Sequence, residues 1–203
     1  MRVALIGASG NVGSRIRDEL LRRGHAVTAI VRDPSRLPAA PGLAAKRGDV
    51  ADAAGLSALL AGHDAVISAV RFSDGDPGRL IEAVRRSGVT RYLVVGGAAS
   101  LEVAPGKRLL DGEAFPEMYR AEATKGAAFL DTLRGVTDLD WTFLSPSAVI
   151  GPGERTGRFR LGTDQLLVDA AGKSHVSFED YAVALVDELE RPAHSRQRFT
   201  VGY

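Results

Sequence analysis

The sequence contains no cysteine. This absence excludes disulfides, thiolate nucleophiles and zinc or iron–sulfur centres held by cysteine, and it fits a reducing compartment. Long apolar runs are also missing, since none approaches the ~18 residues that a membrane span requires. The start, MRVALIG, passes from Met1 directly into a strand-like run and leaves no room for a signal peptide. We therefore predict a cytoplasmic protein.

Neither sign of charge is in excess. The chain has 26 Lys and Arg and 25 Asp and Glu, a formal net charge of +1, which gives no electrostatic reason to expect binding to nucleic acid or to an anionic membrane. The 4 histidines are scattered and share no helix at ligand spacing, so we predict no metal site. The length of 203 residues and the apolar fraction of 45% are typical of one globular domain, residues 1–203.

Strand-like and helix-like segments alternate along the chain. The apolar run 3–6 leads through a glycine-rich turn into a helix with Ile16 and Leu20 at helical spacing, and the apolar run 26–31 follows. This is the pattern of a βαβ unit. Because the strands are continuously apolar, a parallel sheet covered on both faces is expected. We therefore predict an α/β fold with a doubly wound, Rossmann-type parallel sheet and helices on both faces.

Two later stretches do not fit this alternation. The further predicted strands are residues 43–48, 65–70, 91–95, 139–144 and 198–201, and the further helices are residues 51–61, 79–86, 119–133 and 179–190. Residues 99–118 and 145–177, to which we give approximate bounds, are irregular and contain Gly and Pro. Both follow late strands, and the ligand crevice of an open α/β sheet lies beyond the carboxyl ends of its strands. We therefore predict two small substrate loops with the second ligand between them.

The glycine-rich turn has the spacing Gly-x-x-Gly-x-x-Gly. One glycine permits the tight turn, another lets a pyrophosphate approach the backbone, and the last lets the helix pack close to the sheet. The free N–H groups and the helix dipole then meet the phosphates. Within a βαβ unit this spacing indicates a dinucleotide site. The predicted cofactor-binding residues of the turn are Gly7, Ser9, Gly10, Asn11, Val12 and Gly13.

The end of the second strand bears on the choice between NAD and NADP. Val31 fills the position where an acidic residue would bind the ribose hydroxyls of NAD. Arg32 follows, with Ser35 and Arg36 close behind, and a guanidinium suits the dianionic 2′-phosphate of NADP. Asp33 is the counter-argument, although its position before a proline favours a turn or cap. We predict NADPH as the cofactor, with NADH as the alternative.

Several segments together resemble the NmrA-like, atypical branch of the short-chain dehydrogenase/reductase superfamily. They are GASGNVG in the first turn, VRDPSRL after the second strand, GDV at residues 48–50, HDAVISAV, RYLVVGGAAS and SPSAVIGPGERTG. Within this branch the chain is similar, nearly end to end, to small NAD(P)H-flavin reductases and to biliverdin reductase B. The last segment is the most specific to that subgroup.

The resemblance also implies further site residues. They are expected at the adenine (Asp49 and Val50), at the ribose and pyrophosphate (Ala69, Val70 and Arg71) and around the nicotinamide (Gly97, Ser100, Pro146, Ser147 and Val149).

Many members of the superfamily carry a serine and a Tyr-x-x-x-Lys pair, in which the tyrosine is the general acid or base. Ser100 lies at the usual position of the serine, and we predict it as a catalytic residue. Tyr119 and Lys125 are six residues apart, which places their side chains about 120° out of alignment on a helix. The pair is therefore absent. We expect Tyr119 to pack or to line a rim, and Lys125 to be solvated.

This absence favours one chemistry. A ketone reduced without a proton donor leaves an unstabilised alkoxide, whereas a flavin or quinone delocalises the charge and can take protons from water. We predict an NADPH-dependent oxidoreductase that transfers a hydride to a planar small-molecule acceptor such as FMN, another flavin or a quinone. Glu154, Arg155 and Arg158 are candidates to hold an acidic or phosphorylated acceptor, with solvated loop charge as the equal alternative.

Two other functions stay open. The chain could be a non-catalytic NADP(H)-binding redox sensor that reports to a partner protein. An epimerase or dehydratase of nucleotide sugars is less favoured, because such enzymes usually carry the Tyr-x-x-x-Lys pair. A homodimer is a further expectation, with the edge strand and the final strand as its candidate pairing elements.

Overall fold

The computed structural model describes residues 1–203. Its strands are β1 (Arg2–Ile6), β2 (Ala26–Val31), β3 (Leu43–Arg47), β4 (Ala65–Ser68), β5 (Arg91–Val95), β6 (Glu102–Ala104), β7 (Lys107–Arg108), β8 (Asp140–Ser145), β9 (Val149–Gly151), β10 (Arg160–Gly162), β11 (His175–Ser177) and β12 (Gln197–Gly202). Its helices are α1 (Asn11–Arg22), α2 (Ala53–Leu60), α3 (Pro77–Ser87), α4 (Glu117–Arg134) and α5 (Phe178–Glu190).

The main sheet has 8 strands in the order β3-β2-β1-β4-β5-β8-β12-β10. Every neighbouring pair is parallel except β10 and β12, which run antiparallel. The strand order reverses at β1, since β2 lies on one side of it and β4 on the other. Ligands of doubly wound sheets bind at such a reversal. The predicted Rossmann-type sheet is confirmed.

Helices cover both faces of this sheet, as predicted. On one face Ile16 of α1 and Leu185 of α5 belong to a core cluster with the inward residues of the strands. On the other face Leu56 of α2, Leu80 of α3 and Leu130 of α4 form a second cluster. Burying each of these side chains contributes about 2 kcal/mol, which holds the strand ends in fixed positions. None of the helices is both long and apolar enough to cross a bilayer.

The starts of the helices differ in one respect that matters for the site. Asp52, Asp76 and Ser177 cap α2, α3 and α5 by accepting hydrogen bonds from first-turn amides. At the start of α1 stands Gly10, and no side chain caps the helix there, as is also the case for α4 at Pro116. The first-turn amides of α1 are therefore left for another acceptor.

The two irregular stretches contain short strands that the sequence did not predict. β6 and β7 form a small antiparallel hairpin, β9 pairs with β11, and β10 extends the main sheet. Runs of two or three residues are too short to show a periodic pattern. β10 pairs with residues 200–202 of β12, so that part of the final strand is already covered, and the homodimer stays a prediction.

Candidate functional site

A cavity of about 570 Å³ opens at the carboxyl ends of β1, β2, β4 and β5. It therefore lies at the reversal of strand order, where a dinucleotide is expected. The structure brings many of the predicted site residues together in its lining, namely Gly7, Ser9, Gly10, Asn11, Val12, Arg32, Asp49, Val50, Ala69, Val70 and Arg71.

The glycine turn has the geometry that a phosphate cradle needs. Gly7 has φ +83°, and a Cβ there would lie 2.4 Å from the carbonyl oxygen of Ala69. A Cβ on Gly13 would lie 2.1 Å from the carbonyl oxygen of Gly7, so both glycines are required by the fold itself. A Cβ on Gly10 would meet nothing closer than 3.4 Å. Gly10 thus leaves the uncapped start of α1 open, and the first-turn amides of α1 fit a pyrophosphate.

The end of β2 presents Arg32 to the cavity. The neighbouring Asp33 is used by the fold, because its carboxylate accepts hydrogen bonds from the Ser35 amide at 3.1 Å and the Ser35 hydroxyl at 2.6 Å. These bonds cap the short 3₁₀ helix Pro34–Arg36. The Ser35 hydroxyl and amide, followed by the charges of Arg36 and Arg47, hold the pKa of Asp33 below its usual value.

Arg47 is a residue of this corner that sequence reasoning missed. It ends β3 and lies opposite Val31 in the parallel register of β2 and β3. Gly48 follows, lines the cavity and donates its amide to the Val31 carbonyl at 3.0 Å. Arg32, Arg36 and Arg47 are all exposed, and none of them forms an ion pair within 4.0 Å. The corner thus holds unpaired positive charge from two adjacent strands.

Other predicted residues lie outside the cavity lining, namely Gly13, Ser35, Arg36, Gly97, Ser100, Pro146, Ser147 and Val149. Gly97 directly follows Gly96, which does line it. The Ser100 hydroxyl accepts a hydrogen bond from Arg198 at 3.3 Å. Ser147 is 1% exposed, and its hydroxyl donates to the Val201 carbonyl at 3.0 Å, so its side chain is used internally. The cofactor contacts of these residues stay predictions.

No tyrosine and no lysine lines the cavity. Tyr119 is 56% exposed on α4. Tyr92 and Tyr181 are fully buried, and burial raises the pKa of both hydroxyls above the usual value. Lys125 lies at a separate hollow of about 340 Å³. The missing Tyr-x-x-x-Lys pair is therefore not replaced by another tyrosine or lysine at this site.

What α4 does present to the cavity is Glu122. Its Oε1 accepts a hydrogen bond from the Phe72 amide at 2.6 Å, and its Oε2 accepts one from the Ser73 amide at 2.9 Å. Phe72 and Asp74 of the same loop line the cavity as well. The sequence carries no local signal for this role of Glu122. Its partner amides lie 49 and 50 residues away in the chain.

The loop after β9 is tied to the helices by its charges. Arg155 donates to both carboxylate oxygens of Glu19 on α1, at 2.8 and 3.0 Å. Burial by itself raises the pKa of Glu19, but hydrogen bonds from Arg155, Arg22 and Arg23 outweigh it and hold that pKa far below its usual value. The guanidinium of Arg155 is thus used by the fold, against the expectation that it holds an acceptor. No group of three or more metal-ligating side chains is assembled.

Comparison with known proteins shows the family of the chain. A family model described as NAD(P)H-binding matches residues 7–192. The chain belongs to this NAD(P)H-binding family. Within it, the chain is 41% identical over 216 residues to the uncharacterized protein YwnB of Bacillus subtilis, covering 99% of this chain and 98% of that protein.

Two solved structures are similar to this NAD(P)H-binding protein along its whole length. A candidate epimerase from Bacteroides thetaiotaomicron is 44% identical with a TM-score of 0.96, covering 100% of this chain and 96% of that one. A candidate NADH-flavin reductase from Streptococcus pneumoniae is 37% identical with a TM-score of 0.85, covering 100% and 99%. The resemblance expected from the sequence is confirmed, and these findings support an NAD(P)H-dependent oxidoreductase.

Proposed function

We propose that this protein is an NADPH-dependent reductase that transfers a hydride to a planar redox acceptor, such as a flavin or a quinone. The observation that carries the proposal is the composition of one cavity. Its lining has an uncapped helix start and the unpaired Arg32 at the end of β2, and it contains neither a tyrosine nor a lysine. The similarity to a candidate NADH-flavin reductase supports the same chemistry.

The preference for NADPH follows from the charges at the end of β2. Arg32 lines the cavity, and Arg36 and Arg47 lie near enough to lower the pKa of Asp33. Asp33 caps its own turn instead of facing a ribose hydroxyl. A 2′-phosphate carries about two negative charges and accepts charge-assisted hydrogen bonds from guanidinium groups, so it fits this corner better than a ribose hydroxyl does.

The residues of the chain bind and orient the reactants. The α1 amides and the Gly7–Gly10 turn would hold the pyrophosphate, and Ala69 and Val70 at the β4 exit would contact the ribose. The residues around Gly96 would hold the reduced nicotinamide, which would supply the hydride. Reduction of FMN consumes NADPH, FMN and one proton and yields NADP⁺ and FMNH₂. Since the flavin ring spreads the charge, water can provide the proton, and stacking and orientation suffice.

The scheme also includes Ser100, which lies outside the lining of the cavity, three residues beyond Gly97. Its hydroxyl oxygen already accepts a hydrogen bond from Arg198, so its proton is available to a second acceptor. We assign that proton to a carbonyl oxygen of the bound acceptor. The hydrogen bond would stabilise charge that develops on the oxygen during hydride transfer.

The absence of a catalytic tyrosine and lysine also favours a second candidate function, a redox sensor. A redox sensor needs the cofactor cavity but no catalytic group, and it would bind NADP⁺ and NADPH with different affinities without oxidising NADPH. The cytoplasmic location and the homodimer also belong to the proposal. Cell fractionation and size-exclusion chromatography with light scattering test these two.

The loss of NADPH absorbance tests the function directly. Purified protein is supplied with NADPH and, in turn, FMN and menadione. Saturable turnover that exceeds the protein-free rate supports the reductase. Tight NADP⁺ binding in a thermal-shift assay of the same sample, with no turnover on either acceptor, would replace the reductase by the sensor.

A further inference from the structure

One face of α4 carries an unusual pair of residues. Glu122 and Gly126 are four positions apart, so they lie one above the other on the helix surface. A Tyr-x-x-x-Lys pair has this same spacing. In the α4 pair, Glu122 is a carboxylate that lines the cavity, and Gly126 has no side chain.

The space over Gly126 is filled by the ring of Phe72. A Cβ on Gly126 would lie 2.7 Å from Cε2 of that ring. The ring is held in place by Phe129, edge-on with centroids 6.0 Å apart, and by Phe143, stacked at 6.3 Å. It also lies against Gly97, whose added Cβ would be 3.4 Å from Cε2. Any larger residue at position 126 would displace the ring.

The backbone of the same loop is held by the carboxylate. The two oxygens of Glu122 accept hydrogen bonds from the consecutive amides of Phe72 and Ser73. Such charge-assisted bonds are about twice as strong as neutral ones. The loop continues directly from Val70 and Arg71, which line the cavity. One side chain of α4 thus fixes the chain direction at the β4 exit.

We propose that Glu122 is a positioning residue that holds residues 70–73 as a wall of the cofactor cavity, with Phe72 packed over Gly126. The helix that supplies acid chemistry in a Tyr-x-x-x-Lys enzyme supplies a clamp in this one. This role rests on the proposed function, because it requires the cavity to hold the dinucleotide. Its effect is on cofactor affinity, since neither Glu122 nor Gly126 donates a proton to the acceptor.

The test replaces Glu122 by Gln, which keeps the size of the side chain but loses the charge and one acceptor oxygen. The matched control is Glu117→Gln, on the same helix, whose side chain is 86% exposed and pairs only with Arg120. We measure the NADPH dissociation constant by calorimetry, KM and kcat with FMN, and amide hydrogen exchange of a peptide spanning residues 69–76.

For Glu122→Gln we expect a rise of about tenfold in the NADPH dissociation constant and KM, from the loss of one charged hydrogen bond. The kcat should change by less than about threefold, since chemistry is not touched. Exchange should accelerate in the 69–76 peptide and not elsewhere. Glu122→Asp keeps the charge on a shorter arm, and its dissociation constant should lie between those of the wild type and Glu122→Gln. The control should match the wild type.

Unchanged affinity in Glu122→Gln, or unchanged exchange at 69–76, overturns the positioning role. So does faster exchange over the whole chain, which would indicate a merely structural bond. If Glu122→Gln does not fold, Gly126→Ala takes its place, because the added methyl displaces Phe72 and should also weaken NADPH binding. If the wild-type protein binds neither NADPH nor NADH, the proposed function itself is wrong. This result is distinct from a failure of the positioning role alone.

Discussion

Arg47 lies opposite Val31 in the parallel register of β2 and β3, and Val31 leads directly into Arg32. The pairing places Arg47, 15 residues further along the chain than Arg32, beside the end of β2, where Arg32 lines the cavity. Positive charge at this corner therefore comes from two strands, and Arg36 adds a third group from the turn between them.

Arg32→Ala and Arg47→Ala should each weaken NADPH binding. Loss of one charged hydrogen bond to the 2′-phosphate should raise the NADPH dissociation constant by about tenfold or more. The NADH dissociation constant should change by less than about twofold, since NADH lacks this phosphate. Titration calorimetry with both cofactors measures the two effects.

Lys107→Ala serves as the control for these two variants. Lys107 is exposed on the β6–β7 hairpin, and its substitution removes the same single positive charge. Arg32→Lys should be intermediate, since an ammonium keeps the charge but loses the fork geometry. Equal weakening of NADPH and NADH binding would show that the arginines do not recognise the 2′-phosphate.

Two glycines of the first turn should separate folding from binding. Gly7→Ala should lower the free energy of unfolding by about 2 kcal/mol or more, because Gly7 has φ +83° and its Cβ would meet the Ala69 carbonyl at 2.4 Å. Gly10→Ala should leave stability within about 0.5 kcal/mol, since its Cβ meets no close atom.

Gly10→Ala should nevertheless raise the NADPH dissociation constant by about tenfold or more, because its methyl stands where the pyrophosphate approaches the backbone. Urea denaturation and NADPH titration of both variants give the comparison. Normal NADPH affinity in Gly10→Ala would mean that the pyrophosphate does not lie over this turn.

Tyr119→Phe and Ser100→Ala should differ in turnover. Tyr119 is 56% exposed and does not line the cavity, so removal of its hydroxyl should leave kcat within about twofold. Ser100→Ala should lower kcat by about tenfold with little change in NADPH affinity, if its proton stabilises charge on the acceptor. Steady-state kinetics with FMN checks both. A strong kcat defect in Tyr119→Phe would restore the tyrosine as the acid.

Glu19→Gln should make stability less dependent on pH. The pKa of Glu19 is depressed in the folded protein, so its ionised form stabilises the fold above the unfolded value of about 4.3 and this stabilisation is lost as the pH falls. The variant should be about 3 kcal/mol less stable than the wild type at pH 7, because Glu19 is only 5% exposed and joins three arginines.

The difference between wild type and Glu19→Gln should shrink steadily below about pH 4.3. Urea denaturation at a series of pH values measures it. Asp131→Asn is the control, since Asp131 forms an ion pair at a side-chain exposure of 61% and should change stability by less than about 1 kcal/mol at any pH. A pH-independent deficit in Glu19→Gln would show that packing, not charge, is lost.

Local sequence determined the parallel strands of the sheet, the glycine turn and much of the site. Continuous apolar runs and helical spacing are properties of neighbouring residues, so β1, α1 and β2 could be predicted, and Gly7, Gly10 and Gly13 could be placed between them. The cap formed by Asp33 is equally local, since its partner Ser35 is two residues away.

Only the tertiary structure placed Arg47 beside the end of β2 and Glu122 against the Phe72 amide. The first depends on the register of two strands, and the second on how α4 packs over the β4 exit, and neither leaves a periodic signal in the chain. The same holds for Ser147 and Arg155, whose polar groups are satisfied by Val201 and Glu19 from distant segments. Hydrogen bonds between residues far apart in sequence are decided by packing, and packing is a property of the whole fold.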